Sequence, residues 1–404
     1  MFARALTLAG ILGALSAGPA AAAPSTARVS LEPDGSQRSN HSFDPAISAD
    51  GNLIAYEVLK GDPRADTLRD DVYAYDRRTG ATEWISAGPL GLPGDGRSQR
   101  PAVSADGRYV AFVSSSTNLV PGDTNGMLDV FVRDRRTGGL ERITDPRPGG
   151  GSAYGVSLAP GGRLVAFTSL GPRANIGGDG RQDVLLHDRA SGETEVVSAA
   201  RDHTDSHDPS VSAGGRFVAF TFGSHVRVRD RAQGRTEKIP PGPGARDTEP
   251  AISASGRFVA FTSVPSTSDF RGSILVHDRE TGKAEVASVA RDGRRATGSG
   301  GPSISAGGRY VAFVSHAGNL VPRDTNGLAD VFRRDRRTDT TRRVSVSTDR
   351  VQANGGSGDG EYFFSRSAIS GRGSYVAFTS NAWNLVADDT NGAWDVFVRG
   401  PLAP

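Results

Sequence analysis

The stretch that decides the fold is Pro101–Phe112, PAVSADGRYVAF, because the chain writes it seven times. The other copies read PAISADGNLIAY from Pro45, VSLAPGGRLVAF from Val156, PSVSAGGRFVAF from Pro209, PAISASGRFVAF from Pro250, PSISAGGRYVAF from Pro302 and SAISGRGSYVAF from Ser367. A repeat spacing of about 40 to 65 residues is in the range of propeller blades. Each copy reads as a hairpin: a short strand, a turn on Asp-Gly or Gly-Gly where Gly supplies the positive φ, and a strand rich in β-branched and aromatic residues. A loop of variable length leads to a third strand, such as DVFVRD from Asp129, DVLLHD from Asp183 or SILVHD from Ser273. The turn Asp134–Gly138, DRRTG, then leads to a fourth strand ending near Ile143. Four antiparallel strands per repeat predict an all-β fold, a seven-bladed β-propeller, with blades starting near 45, 101, 156, 209, 250, 302 and 367.

The seventh unit stops after its third strand, at Arg399. Its fourth strand is expected at the other end of the chain, where Ala27–Gly35, ARVSLEPDG, resembles Arg342–Arg350, RRVSVSTDR, at the end of unit six. Residues 27–31 would complete the last blade and pair an otherwise open edge. The second strands also follow a packing rule. They place Ala55, Ala111, Ala166, Ala219, Ala260, Ala312 and Ala377 before an aromatic residue: Tyr56, Phe112, Phe167, Phe220, Phe261, Phe313 and Phe378. Neighbours on a strand point to opposite faces, so each blade offers a ring on one side and a hole on the other. The ring of one blade is expected to fill the space left by the Ala of the next.

The repeated string resembles the WD40-like repeat of TolB-type propellers over roughly residues 27–400. Unit three departs from it with Ala159 in place of Ser, and unit seven puts Arg372 and Gly373 in the turn. The resemblance implies a propeller. The broad group includes periplasmic interaction platforms as well as the propellers of prolyl oligopeptidase-like enzymes.

Bulk properties narrow the function classes. The chain has 404 residues, with 52 Gly and 23 Pro suited to many turns and a formal net charge of only +2. Nearly every basic residue is Arg; Lys appears at Lys60, Lys238 and Lys283. The Arg recurs at matching places in the repeats, which predicts solvated turn faces rather than a phosphate-binding patch, and no nucleic-acid partner. The absence of Cys excludes disulfides, thiolate metal sites and a Cys nucleophile. Residues 1–22 read as a signal peptide: Arg4, an apolar run Ala5–Leu15, and Ala20, Ala21 and Ala22 before a cleavage point at Ala23. That run is too short to span a bilayer comfortably. The expected product is an exported monomer, secreted, periplasmic or envelope-associated, with the propeller at 23–400 and no stable membrane span.

Three loops between second and third strands carry D-T-N-G-x-x-D: Asp123, Asn125 and Asp129; Asp324, Asn326 and Asp330; Asp389, Asn391 and Asp395. Unit three has a shortened form, Asp179-Gly180 followed by Asp183. One reading is a calcium loop, since oxygen ligands alternating around a Gly suit that ion. The other is a tight Asn-Gly turn with Asp side chains capping backbone amides. A second cluster, RDHTDSHDP, brings His203, Asp205, His207 and Asp208 into the connection between units three and four. It reads either as a polar surface loop or as a site for a transition metal or acid–base work, which His41 could join. His187 and His277 end third strands and read as structural. No G-x-S-x-G elbow and no phosphate-binding Gly loop occurs. The functional expectation is a non-catalytic platform that binds a protein, peptide or glycan on its loop face, with no certain cofactor. The alternative is a metal-dependent lyase or hydrolase acting on a sugar or polysaccharide in the central channel through His203, His207 and Asp208.

Overall fold

The computed structural model describes residues 23–61, 69–144, 151–170, 181–198, 204–265, 272–358 and 366–403. The signal-peptide reading at 1–22, His203 and the Asp179-Gly180 turn lie outside them. The described residues form seven four-stranded antiparallel sheets. Six are built from consecutive strands, starting at Ser42, Ser98, Ser152, Ser206, Arg246 and Ser299. In the seventh, Ser25–Arg28 pairs with Asp395–Gly400, Asp395–Gly400 with Val376–Ser380, and Val376–Ser380 with Ala368–Ile369. The amino-terminal segment thus supplies the outer strand of the last blade.

That closing strand starts two residues earlier than its likeness to Arg342–Arg350 suggests, and its register runs from Ser25 opposite Gly400 to Arg28 opposite Phe397. Beyond the strand, the Val29 amide donates to the Val396 carbonyl. Ser30 Oγ donates to Asp395 Oδ1 at 2.6 Å and accepts from the Val396 amide at 3.0 Å. Ser345 plays the same two roles in blade 6, toward Asp330 Oδ1 and the Val331 amide. The likeness between the two segments is therefore a likeness of hydrogen-bonding work.

The core lies between blades. Each of seven apolar clusters joins an Ala of one blade to the aromatic residue of the next: Ala55 with Phe112, Ala111 with Phe167, Ala166 with Phe220, Ala219 with Phe261, Ala260 with Phe313, Ala312 with Phe378, and Ala377 with Tyr56. The last of these crosses the closing seam. A second layer explains the Gly of the first turn. A Cβ on Gly256 would lie 2.1 Å from Phe217 Cδ2 of the preceding blade, and one on Gly308 2.1 Å from Phe258 Cδ2. Both glycines also hold positive φ, 77° and 74°.

The Arg residues differ from expectation: many are paired rather than simply solvated. The Arg that opens the second strand bonds the Asp that closes the third, as in Arg108–Asp134 at 2.6 Å and Arg309–Asp335 at 2.7 Å. The Arg after that Asp reaches the preceding blade, as Arg279 reaches Glu237 at 2.8 Å while stacking over Phe217. The turn face is a belt of ion pairs that staples neighbouring blades together.

Candidate functional site

The first strand of each blade is innermost, and first strands of adjacent blades contact one another around the axis. Near the loop face these strands break register. In blade 2, Gln99 faces Val113 but the next pair is Ala102 with Ala111, so Arg100 and Pro101 form a bulge. Blades 1, 4, 5 and 6 break in the same place, and blade 3 breaks at Gly155. Pro suits a bulge because it has no N–H to leave unpaired. The residue before it is left-handed: Asp44, Arg100, Asp208 and Glu249 have φ of 47°, 55°, 54° and 55°. For a residue with a Cβ this costs about 1 kcal/mol or more. Gly155 and Gly301 hold the position in blades 3 and 6, and Arg366 stands there in blade 7.

These side chains meet on the axis. Arg366 Nη2 lies 3.1 Å from Asp208 Oδ1. The pair joins blade 7 to blade 4, which are not neighbours, so it spans the channel. His207 Nδ1 is 3.0 Å from the other Asp208 oxygen. Burial works against the Asp208 carboxylate, but the Arg366 charge and the His207 hydrogen bond outweigh it and hold its pKa well below the ordinary range. Glu249 accepts from Thr262 Oγ1 and from the Gly301 amide of the next blade, each at 2.9 Å. Asp44 is pushed up by burial, with Arg100 and Arg366 pulling it back. Glu57, on the second strand of blade 1, is 8% exposed and accepts from the Arg100 amide at 3.3 Å. Burial first, then the charges of Asp44 and Asp70, push its pKa up to about 8. The axial ring is thus a set of charges from five blades in which one carboxylate is fully ionised and another retains its proton near neutrality.

The D-T-N-G loops lie on the same face, farther out. In each, an Arg at the end of the outer strand lies near both carboxylates. Arg142 is 2.8 Å from Asp123 and 3.8 Å from Asp129; Arg343 is 3.5 Å from both Asp324 and Asp330; Arg28 is 3.2 Å from Asp389 and 3.6 Å from Asp395. The Asn makes the turn: Asn125, Asn326 and Asn391 each accept from the amide two residues on. Burial raises Asp330 to about 6. The loops therefore use their carboxylates to hold a guanidinium, and an ion entering between them would have to displace it.

The sequence-derived His cluster comes together only in part. His207 and Asp208 are bonded neighbours on the axis, whereas the Asp205 carboxylate accepts from the Gln182 amide. His41 accepts from the Trp394 amide, at the seam of blades 7 and 1. Among the described residues, no three His, Asp or Glu are grouped so as to hold a metal ion. Sequence reasoning missed Asp44, Glu57, Arg100, Glu249 and Arg366. The signal was present: the residue before each repeated string reads Asp, Arg, Gly, Asp, Glu, Gly and Arg, variable and mostly charged beside a near-constant motif.

No family model and no curated protein matches the chain. Solved structures do. An oligogalacturonate lyase from Vibrio parahaemolyticus is 13% identical with a TM-score of 0.60, over 95% of this chain and 98% of that one. The β-propeller domain of the Trilobed protease from Pyrococcus furiosus, described as having an open velcro topology, is 12% identical with a TM-score of 0.55, over 84% of this chain and 89% of that one. TolB from Acinetobacter baumannii is 19% identical with a TM-score of 0.48, over 73% and 63%. At such identities the likeness to the lyase and the Trilobed protease domain establishes the propeller fold, and function has to be argued from the site.

Proposed function

We propose that the protein is an exported, non-catalytic binding platform that takes its partner, a protein, peptide or glycan, on the loop face around the axial mouth. One observation carries this reading. The six exposed large hydrophobic residues among the described residues are Leu90, Leu92, Met127, Leu328, Val351 and Trp383. All six lie in second-to-third-strand loops or blade connections, on a single face of the disc, in an arc from blade 6 through blades 7 and 1 to blade 2. Leu90 is 98% and Trp383 68% exposed. Apolar side chains held out together on one face and rimmed by polar groups are the usual mark of an interaction site. The opposite face presents ion-paired turns instead. Export rests on the signal-peptide pattern of residues 1–22.

A photoreactive residue at Trp383 or Leu328 is expected to cross-link a partner from the native cell-envelope fraction. The same group at Arg136 or Arg337, on the turn face, is expected to cross-link none. Equal labelling from both faces, or labelling from the turn face alone, would overturn the assignment of the loop face.

A further inference from the structure

We propose that the axial mouth binds a carboxylate carried by a peptide segment, gripped by Arg100 and Arg366, and that Asp208 is the internal group this carboxylate displaces. The inference rests on the platform reading and adds the chemistry of the ligand.

The argument starts from which groups are left over. Among the described residues, the Arg100 guanidinium has no hydrogen-bond or ion-pair partner, although its residue is strained to stand at the axis and is exposed there. Arg366, 45% exposed at its side chain, makes one hydrogen-bonded ion pair, to Asp208, with the charges of Glu249 and Asp44 also acting on it. The carboxylates are better served. Glu249 has two donors at 2.9 Å, and Asp208 has both a guanidinium and an imidazole. The unused capacity of the ring is therefore donor capacity on two guanidinia, whose planar forks match a carboxylate. They stand on blades 2 and 7, either side of blade 1, and both charges act on Asp208 and on Asp44 of blade 1, so a carboxylate that takes the place of Asp208 on Arg366 lies in the field of both.

The Asp208–Arg366 pair occupies the axis that such a ligand would enter. An acidic group arriving there exchanges one carboxylate for another on Arg366 and leaves His207 as the partner of Asp208. Asp208 keeps its 3.0 Å hydrogen bond to the His207 imidazole in the exchange, which lowers the cost of giving up Arg366. A peptide is favoured as the carrier because the surrounding arc is apolar. Trp383 and Leu90, exposed on the same face, offer contact area to further side chains of the segment that carries the carboxylate.

The test uses the mature chain and fluorescein-labelled decamers of glutamate, glutamine, lysine and a uronic acid, read by fluorescence anisotropy at low salt. The glutamate decamer should bind, weakening by about tenfold in Arg100→Ala, the scale of one lost charge-assisted contact. Asp208→Asn should bind it about threefold or more tightly, because the internal competitor is gone. A purely structural role for Asp208 predicts the reverse. Preference for the lysine decamer, or weaker glutamate binding by Asp208→Asn, would overturn the charge exchange. Equal binding of the uronic-acid decamer would keep the carboxylate but overturn the peptide assignment. Binding by none of the decamers, with loop-face cross-linking retained, would overturn this inference alone. Arg100→Lys, which keeps the charge and the stem, controls for misfolding and should restore part of the affinity.

Discussion

Removing the charge of Glu57 should make the protein more stable, and only on the alkaline side. Glu57 is 8% exposed, and its pKa is pushed from 4.5 up to about 8, by burial first and then by Asp44 and Asp70. The folded state therefore holds a proton that the unfolded chain gives up near pH 4.5. Stability from this group is whole below about pH 4.5, declines as pH rises, and is lost above about pH 8. At about 1.4 kcal/mol per pH unit across that window, the ceiling is about 5 kcal/mol. Asp44 shares the same field, so an effect of about 2–3 kcal/mol is the realistic expectation. Glu57→Gln keeps an oxygen to accept from the Arg100 amide and cannot ionise. Urea unfolding of wild type and variant at pH 4.5, 6, 7.5 and 9 should show curves that coincide in acid and separate in base, the variant lying higher. A constant difference between the two at every pH would refute the reasoning. If the pair as a whole holds the proton, Asp44→Asn should also flatten the pH dependence.

Other expectations concern the frame. Phe220→Ala, which empties the space beside Ala166, should cost about 3–5 kcal/mol by chemical denaturation. Gly256→Ala drives a methyl to within 2.1 Å of Phe217 at a positive φ and should cost about 2–4 kcal/mol, measured the same way. Deleting residues 24–32 removes the outer strand of blade 7 and the Arg28 pairs, and should lower the melting temperature by about 10 °C or more. Arg343→Ala strips the cation from Asp324 and Asp330, both buried at the side chain, at a cost of about 3 kcal/mol. Calorimetry with Ca²⁺ and with chelator should give the same melting temperature for the wild type, because each carboxylate pair already holds a guanidinium.

Much of the frame was legible because one physical demand recurs in every blade. A turn that needs positive φ selects Gly, and a wedge that must meet its neighbour selects Ala before an aromatic ring, so the pattern could be counted. The closing strand was legible for the same reason: Val29 and Ser30 repeat the task of Val344 and Ser345. The site was harder. The expected Asp-rich loops have the composition of an ion site, but their cation partners, Arg28, Arg142 and Arg343, come from the outer strand. In blade 7 that partner lies at the opposite end of the chain from Asp389, and spacing alone cannot show such a pairing. Arg100 and Arg366 fell just outside the repeated string, where attention to the constant residues passes over the variable one, and Asp208 stood out only because His203 and His207 lie beside it.

The variable position is where the fold leaves room for function. A propeller blade constrains its turns, its Ala and its rings through contact with the next blade, so changes there disturb two blades at once. The residue before the Pro of the first-strand bulge lies outside the repeated string and faces the axis, where all seven blades converge. Two copies hold Gly, the residue that accepts a left-handed backbone without strain. Four hold Asp, Arg, Asp and Glu in the same conformation, which local stability alone would not select. Stability would be served by Gly in all of them, and a channel lined by Gly would carry no charge. Substituting Gly at Arg100 separates the two demands: the backbone should relax and the melting temperature hold or rise slightly, while anion binding at the mouth weakens by about tenfold or more. If Arg100→Gly instead destabilised the ring and left binding intact, the charges would belong to the architecture and the site would have to be sought elsewhere on the loop face.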